Sequence, residues 1–306
     1  MRSDGPLLAF AAFDRAAHRR TDPTWLAETW PSAHVLVVSP KSATPTQRGA
    51  GGTPRVAFRT AADVDATAPR RFLGIAADQA YFSVTSDRDD RGEWLTLRDL
   101  GLFLDDLQAG LLTSAIALEQ WHQRHPRCPL CGTPTDESAA GWTRTCPNDG
   151  SQHFPRTDPA VIMLIHDGAD QALLGRGREW PEGRYSTLAG FVEPGESLEA
   201  AVAREVFEEV GVRIRDIRYV ASQPWPFPSS LMLGFGARLD GDPDIHLDPI
   251  EMAEAGWFSR AEVRAAAGWV DAGTAPDEAA RVQAVSPKLS ISRYLIDRWL
   301  AGDLPD

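Results

Sequence analysis

The sequence predicts an α+β chain in three parts, on three observations. Strand-like apolar runs and helix-periodic runs alternate along its 306 residues. Three cysteines cluster at positions 128, 131 and 146, between two such regions. A glutamate-rich helical pattern lies in the C-terminal half, between residues 190 and 212. The hydrophobic fraction of 43% and charged fraction of 24% are those of an ordinary globular chain, and the length gives a prior of about two domains with a real core.

The elements follow in order. Val35-Leu36-Val37-Val38 reads as a buried strand. Lys41 to Pro54, rich in Gly, Pro, Thr and Ser, reads as a loop or flexible insert. Arg71 to Ile75 and Ala80 to Val84 read as further strands. Leu107, Leu111, Leu112, Ala115, Leu118 and Trp121 share helical spacing. After the cysteine segment, Pro159 to Ile165 is a continuous apolar strand, with Ala172 to Gly175 as a hairpin partner. Leu198 to Val210 predicts a helix, Val212 to Val220 and Leu231 to Leu239 strands, and Ser290 to Leu300 a final amphipathic helix. No internal repeat or low-complexity tract is visible.

Charge and composition exclude some functions. A formal net charge of -12 argues against broad binding to nucleic acid or to an anionic membrane. It leaves room for a small anionic ligand whose charge a metal offsets. No apolar run approaches the roughly 18 residues of a membrane span. The run Leu7 to Phe13 is short and is followed by Asp14 and arginines, with no small-residue cleavage site, so the expected location is the cytoplasm.

In a cytosolic chain an odd, clustered set of cysteines favours a metal over disulfides. Cys128-Pro-Leu-Cys131 and Cys146-Pro-Asn-Asp149 have the spacing of a zinc ribbon, but the fourth position is Asp149 rather than Cys. Three outcomes stay open: Cys₃Asp zinc through Asp149, Cys₃His zinc through His153, or a metal-free remnant held by packing.

The richest stretch runs from Gly190 to Val212. Ser197 is placed to cap the helix and Gly211 to stop it. Leu198, Val202, Val206 and Val210 make a buried stripe. Glu205, Glu208 and Glu209 are spaced i, i+3 and i+4, so their carboxylates crowd one side of the helix. They also lie near its C-terminus, where the dipole disfavours anions. A hard divalent cation such as Mg²⁺ or Mn²⁺ would offset both costs. Arg204 and Glu196 would tie the helix to the loop before it. A bare EVFEEV would read as a solvated acidic face, but the whole string does not. It resembles the Nudix box at Gly190, Glu196, Arg204, Glu205, Val206, Glu208, Glu209, Gly211 and Val212.

A second signature begins ten residues further on, at Ser222: SQPWPFPSS. Prolines fix φ near -65° and cannot sit in a helix interior or a central strand, so this stretch presents its side chains at little ordering cost. The nine residues resemble the mark of the NADH pyrophosphatase branch of the Nudix family.

The resemblance implies an α/β/α sandwich with a mixed sheet over residues 157–306. A degenerate zinc-ribbon-like segment (123–156) and an N-terminal α+β domain (1–122) would precede it. It implies metal-dependent hydrolysis of the diphosphate of NADH or NAD⁺ to AMP and the nicotinamide mononucleotide. It further implies removal of NAD caps from RNA 5′ ends and a homodimer. Glu205 and Glu209 match the usual metal ligands, with Glu208, Glu251 and the Ala189 carbonyl completing the site, and any of these carboxylates could be the base. Phe191 matches an aromatic that stacks on the nicotinamide, and Phe154 one lent by the partner subunit. Gln223, Pro224, Trp225, Pro226, Phe227, Pro228, Ser229 and Ser230 would line the substrate. Ser292 falls where the branch has a small residue near the adenine, and Arg98 either touches the nucleotide or makes a surface ion pair. Two rivals are a Nudix enzyme of other specificity, such as for ADP-ribose, and a catalytically dead binding module. The SQPWPFPSS loop speaks against the first and the intact glutamates against the second.

Overall fold

The computed structural model describes residues 5–10, 12–87 and 92–305. Its contacts divide into two units. One contains Leu8–Thr157 and Pro224–Ser229; the other contains Asp158–Gln223 and Ser230–Asp306.

In the first unit, helix α1 (Pro23–Thr29) is capped by Asp22, which accepts from the Trp25 amide. Strand β1 (His34–Val38) pairs in parallel with β5 (Gln79–Thr85), and β4 (Arg71–Ala76) pairs antiparallel on the far side of β5. Trp30, Val35, Val37, Phe72, Phe82 and Val84 form the core beside them. A second sheet has the order β3-β2-β6, from β2 (Ala43–Arg48), β3 (Pro54–Val56) and β6 (Trp94–Thr96). Strand β2 corrects the reading of Lys41 to Pro54 as a loop. Ala43, Thr44, Pro45 and Thr46 are all buried, and Thr46 bonds the Glu93 carbonyl through its amide and its hydroxyl, at 2.8 and 2.9 Å. Tertiary pairing here outweighs turn-like composition.

Helix α2 (Leu97–Leu100) is a single turn, and α3 (Asp106–Arg124) is the long helix expected from Leu107 onward, capped by Asp105. The cysteine segment folds as a small antiparallel sheet of β7 (Asp136–Ser138), β8 (Thr143–Thr145) and β9 (Gln152–His153).

A buried charge network joins these parts of the first unit. The Arg71 guanidinium on β4 reaches Glu119 on α3 and forks onto Glu137 of β7, at 3.1 and 3.0 Å. His122 and Arg144 complete the network, bonded to each other at 2.9 Å. Burial, and then the positive charge of Arg71, push His122 down to about 4. It is therefore neutral at ordinary pH and binds the Gly141 carbonyl through Nε2.

The second unit is a sandwich. Its mixed sheet runs β13 (Ile214–Trp225), β14 (Ser230–Leu239), β10 (Asp158–His166), β11 (Gln171–Gly177), β15 (Met252–Ser259), with β12 (Leu188–Phe191) also paired to β10. Strand β10 runs parallel to β14 and antiparallel to β11 and β12. Its unbroken apolar run is explained by burial on both faces. Val161, Met163 and Ile165 pack toward α4 (Leu198–Val210), with Val202, Val206 and Val210. Ile162 and Leu164 pack toward α5 (Arg260–Ala272) and α6 (Ile291–Ala301), with Val263, Ile291, Leu295 and Trp299. Strand β13 is the sheet edge, which is where Pro224 can be tolerated.

Candidate active site

Helix α4 has the predicted ends. The Ser197 side chain accepts from the Ala200 amide, and Gly211 stops the helix at φ 70°. A Cβ at Gly211 would also meet His246 Cβ at 2.8 Å. The chain turns there and is tied back by His246 N to the Val210 carbonyl (2.8 Å) and Asp248 N to the Glu209 carbonyl (3.0 Å). These two bonds bring the turn carrying Glu251 to the C-terminal end of α4.

Arg204 organises the approach to the helix. It donates to both oxygens of Glu196 (3.0 and 2.6 Å), to Glu205 and Glu208 (2.9 Å each), and to the Phe191 carbonyl (2.9 Å). Glu196 in turn accepts from the Glu193 amide, so the loop after β12 is fixed to the helix. Gly190 is required by close approach. A Cβ there would lie 1.9 Å from Glu205 Cδ, so only a residue without a side chain lets Glu205 reach this edge of β12.

Glu205 and Glu209 are buried, at 8% and 6% exposure, while Glu208 is open to solvent. Glu209 Oε2 is buried with no hydrogen-bond partner, an arrangement that costs free energy unless something pairs with it. Burial first, then the charges of Glu205 and Glu251, push the Glu209 carboxyl up to about 8. Burial also raises Glu205, against the pull of Arg204. Oxygen donors, an orphaned buried carboxylate oxygen and the room left by Gly190 all fit a hard divalent cation. The residues that would hold it are Glu205 and Glu209, flanked by Glu208, Glu251 and the Ala189 carbonyl.

This geometry carries a pH prediction. Unfolded Glu209 loses its proton near 4.5, whereas the folded residue keeps it to about 8. Between those values the folded state binds more protons, so stability falls as pH rises, by up to about 1.4 kcal/mol per pH unit. Melting curves in EDTA should show this decline, and added Mg²⁺ or Mn²⁺ should flatten it. An EDTA profile that is flat from about pH 5 to pH 8 would exclude the buried neutral Glu209.

The other expected residues fall into distinct places. Phe191 and Phe154 are 61% and 65% exposed, large apolar rings left free on their respective units. In the first unit, Trp225 and Phe227 meet edge to face with centroids 5.0 Å apart. The Arg98 guanidinium lies 4.1 Å from the Phe227 ring centroid and 5.2 Å from that of Trp225. Arg98 is thus a cation on the SQPWPFPSS loop. Pro226 is buried, and Pro224, Pro228, Ser229 and Ser230 are partly exposed.

Gln223 departs from the expected substrate contact. It is fully buried, and its carboxamide bonds the Leu289 carbonyl and the Ile291 amide at 2.8 Å each. Its role is to brace the start of α6 against β13. Ser292, 1% exposed, lies in a buried hydroxyl cluster with Ser186 (2.8 Å), Thr187 (2.9 Å) and, through Ser186, Ser286. The three small hydroxyl residues beside Ser292 carry no pattern that marks them in the sequence.

Among the described residues, one set of three or more ligand side chains has all its donor atoms within 4.8 Å of one another: Cys128, Cys131, Cys146 and Asp149. His153 lies outside it, with Nε2 on Ser151 Oγ at 3.1 Å.

Comparison with known proteins agrees with this geometry. The family described as NUDIX domain matches residues 156–281, and that described as NADH pyrophosphatase zinc ribbon domain matches residues 123–154. A Mycobacterium tuberculosis protein named NAD-capped RNA hydrolase NudC is 42% identical over 305 residues, 97% of this chain and 95% of that protein. A protein of the same name from Chromobacterium violaceum is 43% identical over 192 residues, 62% of this chain and 72% of that one. The Mus musculus protein named NAD(P)H pyrophosphatase NUDT13, mitochondrial, is 40% identical over 211 residues, 68% of this chain and 60% of that one.

Proposed function

The chain belongs to the Nudix hydrolase family, in its NADH pyrophosphatase branch, and on that premise we propose that it hydrolyses the diphosphate of NADH and NAD⁺ and removes NAD caps from RNA. The products are AMP, or a 5′-monophosphate RNA end, and the nicotinamide mononucleotide. The observation that carries this is the buried pair Glu205 and Glu209, with the unpartnered Glu209 Oε2 and Gly190 held open beside them.

When bound, Mg²⁺ or Mn²⁺ neutralises diphosphate charge and makes a coordinated water more acidic. Glu205 and Glu209 are the primary holders. Glu208 is committed to Arg204, which keeps the helix end and the Phe191 carbonyl in register. Glu251 is solvent-facing and its charge is felt by both buried carboxylates. It therefore takes the proton of the attacking water, since Glu205 and Glu209 are ligands and Glu208 is occupied. The exposed Phe191 ring receives the nicotinamide face. The Arg98 cation on Trp225 and Phe227 suits the anionic, π-bearing nucleotide half. Gln223 and Ser292 act from beneath, by fixing α6.

The organisation 1–122, 123–156 and 157–306 is part of the reading. So is a homodimer, which the free Phe154 ring supports. No helix among the described residues is long and apolar enough to cross a membrane. Three free cysteines suit a reducing cytoplasm.

The test is product analysis after incubation with NADH and Mg²⁺ or Mn²⁺, with and without EDTA. AMP and reduced nicotinamide mononucleotide, abolished by EDTA, are expected. No product with either metal would overturn the reading. Parallel reactions with NAD⁺, NAD-capped RNA and ADP-ribose rank the substrates.

A further inference from the structure

The ribbon contains a short internal correspondence. Cys128-Pro-Leu-Cys131-Gly132 and Cys146-Pro-Asn-Asp149-Gly150 are built alike. Gly132 and Gly150 have φ of 74° and 73°. Each donates its amide to the carbonyl of the first cysteine of its turn, at 2.9 Å in both cases. Each first cysteine in turn donates to a carbonyl just past its own glycine, Thr133 at 2.8 Å and Ser151 at 2.9 Å. The two turns are thus equivalent knuckles, and Asp149 occupies in the second the place that Cys131 occupies in the first.

The side chains agree with the backbone. Cys131 Sγ and Cys146 Sγ are 3.6 Å apart, and Asp149 Oδ2 is 3.6 Å from Cys128 Sγ. Ser151 holds the other carboxylate oxygen, Oδ1, through its amide at 2.8 Å and through its hydroxyl. One oxygen is therefore pinned and the other is directed at the thiols, as expected of an oriented ligand. His153 belongs to β9 and points to Ser151, outside the group.

We propose that the ribbon binds one zinc-class divalent cation through Cys128, Cys131, Cys146 and Asp149, with the Asp149 carboxylate standing in for a fourth thiolate. Four donors match the closed coordination of a structural site. The oxygen donor makes this site harder than an all-thiolate one, and less selective for thiophilic ions. The proposal rests on the ribbon alone and holds whether or not the chain hydrolyses NADH.

The test uses the full chain under reducing conditions, with Co²⁺ titration followed by visible absorption and Zn²⁺ affinity measured by competition with a chelator. Wild type should take up one Co²⁺ with thiolate charge-transfer bands. Asp149→Cys should move the d–d bands to longer wavelength and tighten Zn²⁺. Asp149→Ala should weaken Zn²⁺ roughly tenfold or more, with His153→Ala unchanged within about twofold. A chain that takes up neither ion, or one in which His153→Ala alters the spectrum and Asp149→Cys does not, overturns the assignment. Asp149→Cys preserves a complete ligand set, so the assay stands even if Asp149→Ala does not fold.

Discussion

Replacing Glu209 by Gln should lower kcat by roughly 10³ or more, about 4 kcal/mol of barrier, without unfolding the protein. The same change should raise the melting temperature of the metal-free protein near pH 8. The two effects have one cause. Glu209 is a buried carboxylate whose Oε2 has no partner, so its charge is a liability to the fold until a cation arrives. Gln keeps the shape, removes the charge and with it the primary holder of the metal. Glu208→Gln should cost far less, because Glu208 is exposed and bonded to Arg204. Steady-state kinetics and melting curves on both variants check the contrast. Equal losses at 208 and 209 would mean that burial does not distinguish the two roles.

The second large effect concerns stability. Arg71→Ala should destabilise the first unit by about 3–5 kcal/mol, as expected when a buried pair loses one member. Arg71 and Glu119 are 5% and 3% exposed, and Glu137 depends on the same guanidinium. Removing Arg71 leaves Glu119 buried without its cation. Changing Arg71 and Glu119 together to apolar residues should recover much of the loss, because the uncompensated charge then disappears. Urea unfolding followed by a probe in the first unit measures this. A loss below about 1 kcal/mol would reduce the network to the worth of a surface ion pair.

What the sequence revealed depended on how local the determinants were. Helix α4 was legible to the residue because its cap, stripe and stop lie within Ser197 to Gly211. Strand β10 was legible because burial on both faces leaves an unbroken apolar run. Strand β2 was not, because Thr44, Pro45 and Thr46 look like turn residues until β3 and β6 pair with them. Helix α5 escaped notice although Ser259 and Glu262 form a capping box that marks its start.

In the site, the box carboxylates and the aromatic loop were visible as strings. The task of Gln223 was not, since its partners Leu289 and Ile291 lie 66 and 68 residues away. Nor was the buried network, whose members Arg71, Glu119 and Glu137 are 48 and 66 residues apart. No periodicity connects residues that only the fold brings together.

Arg204 has a consequence for how the enzyme is made. A chain leaving the ribosome carries three glutamates at the end of α4 and as yet no cation to reconcile them. The guanidinium, already bonded to Glu205 and Glu208, serves as a built-in counterion during that interval. Maturation of the catalytic half is then sequential: the polypeptide folds on its own charges and is loaded afterwards. A cell short of magnesium would accumulate idle but intact enzyme, ready to be switched on as the ion returns, rather than material destined for proteolysis.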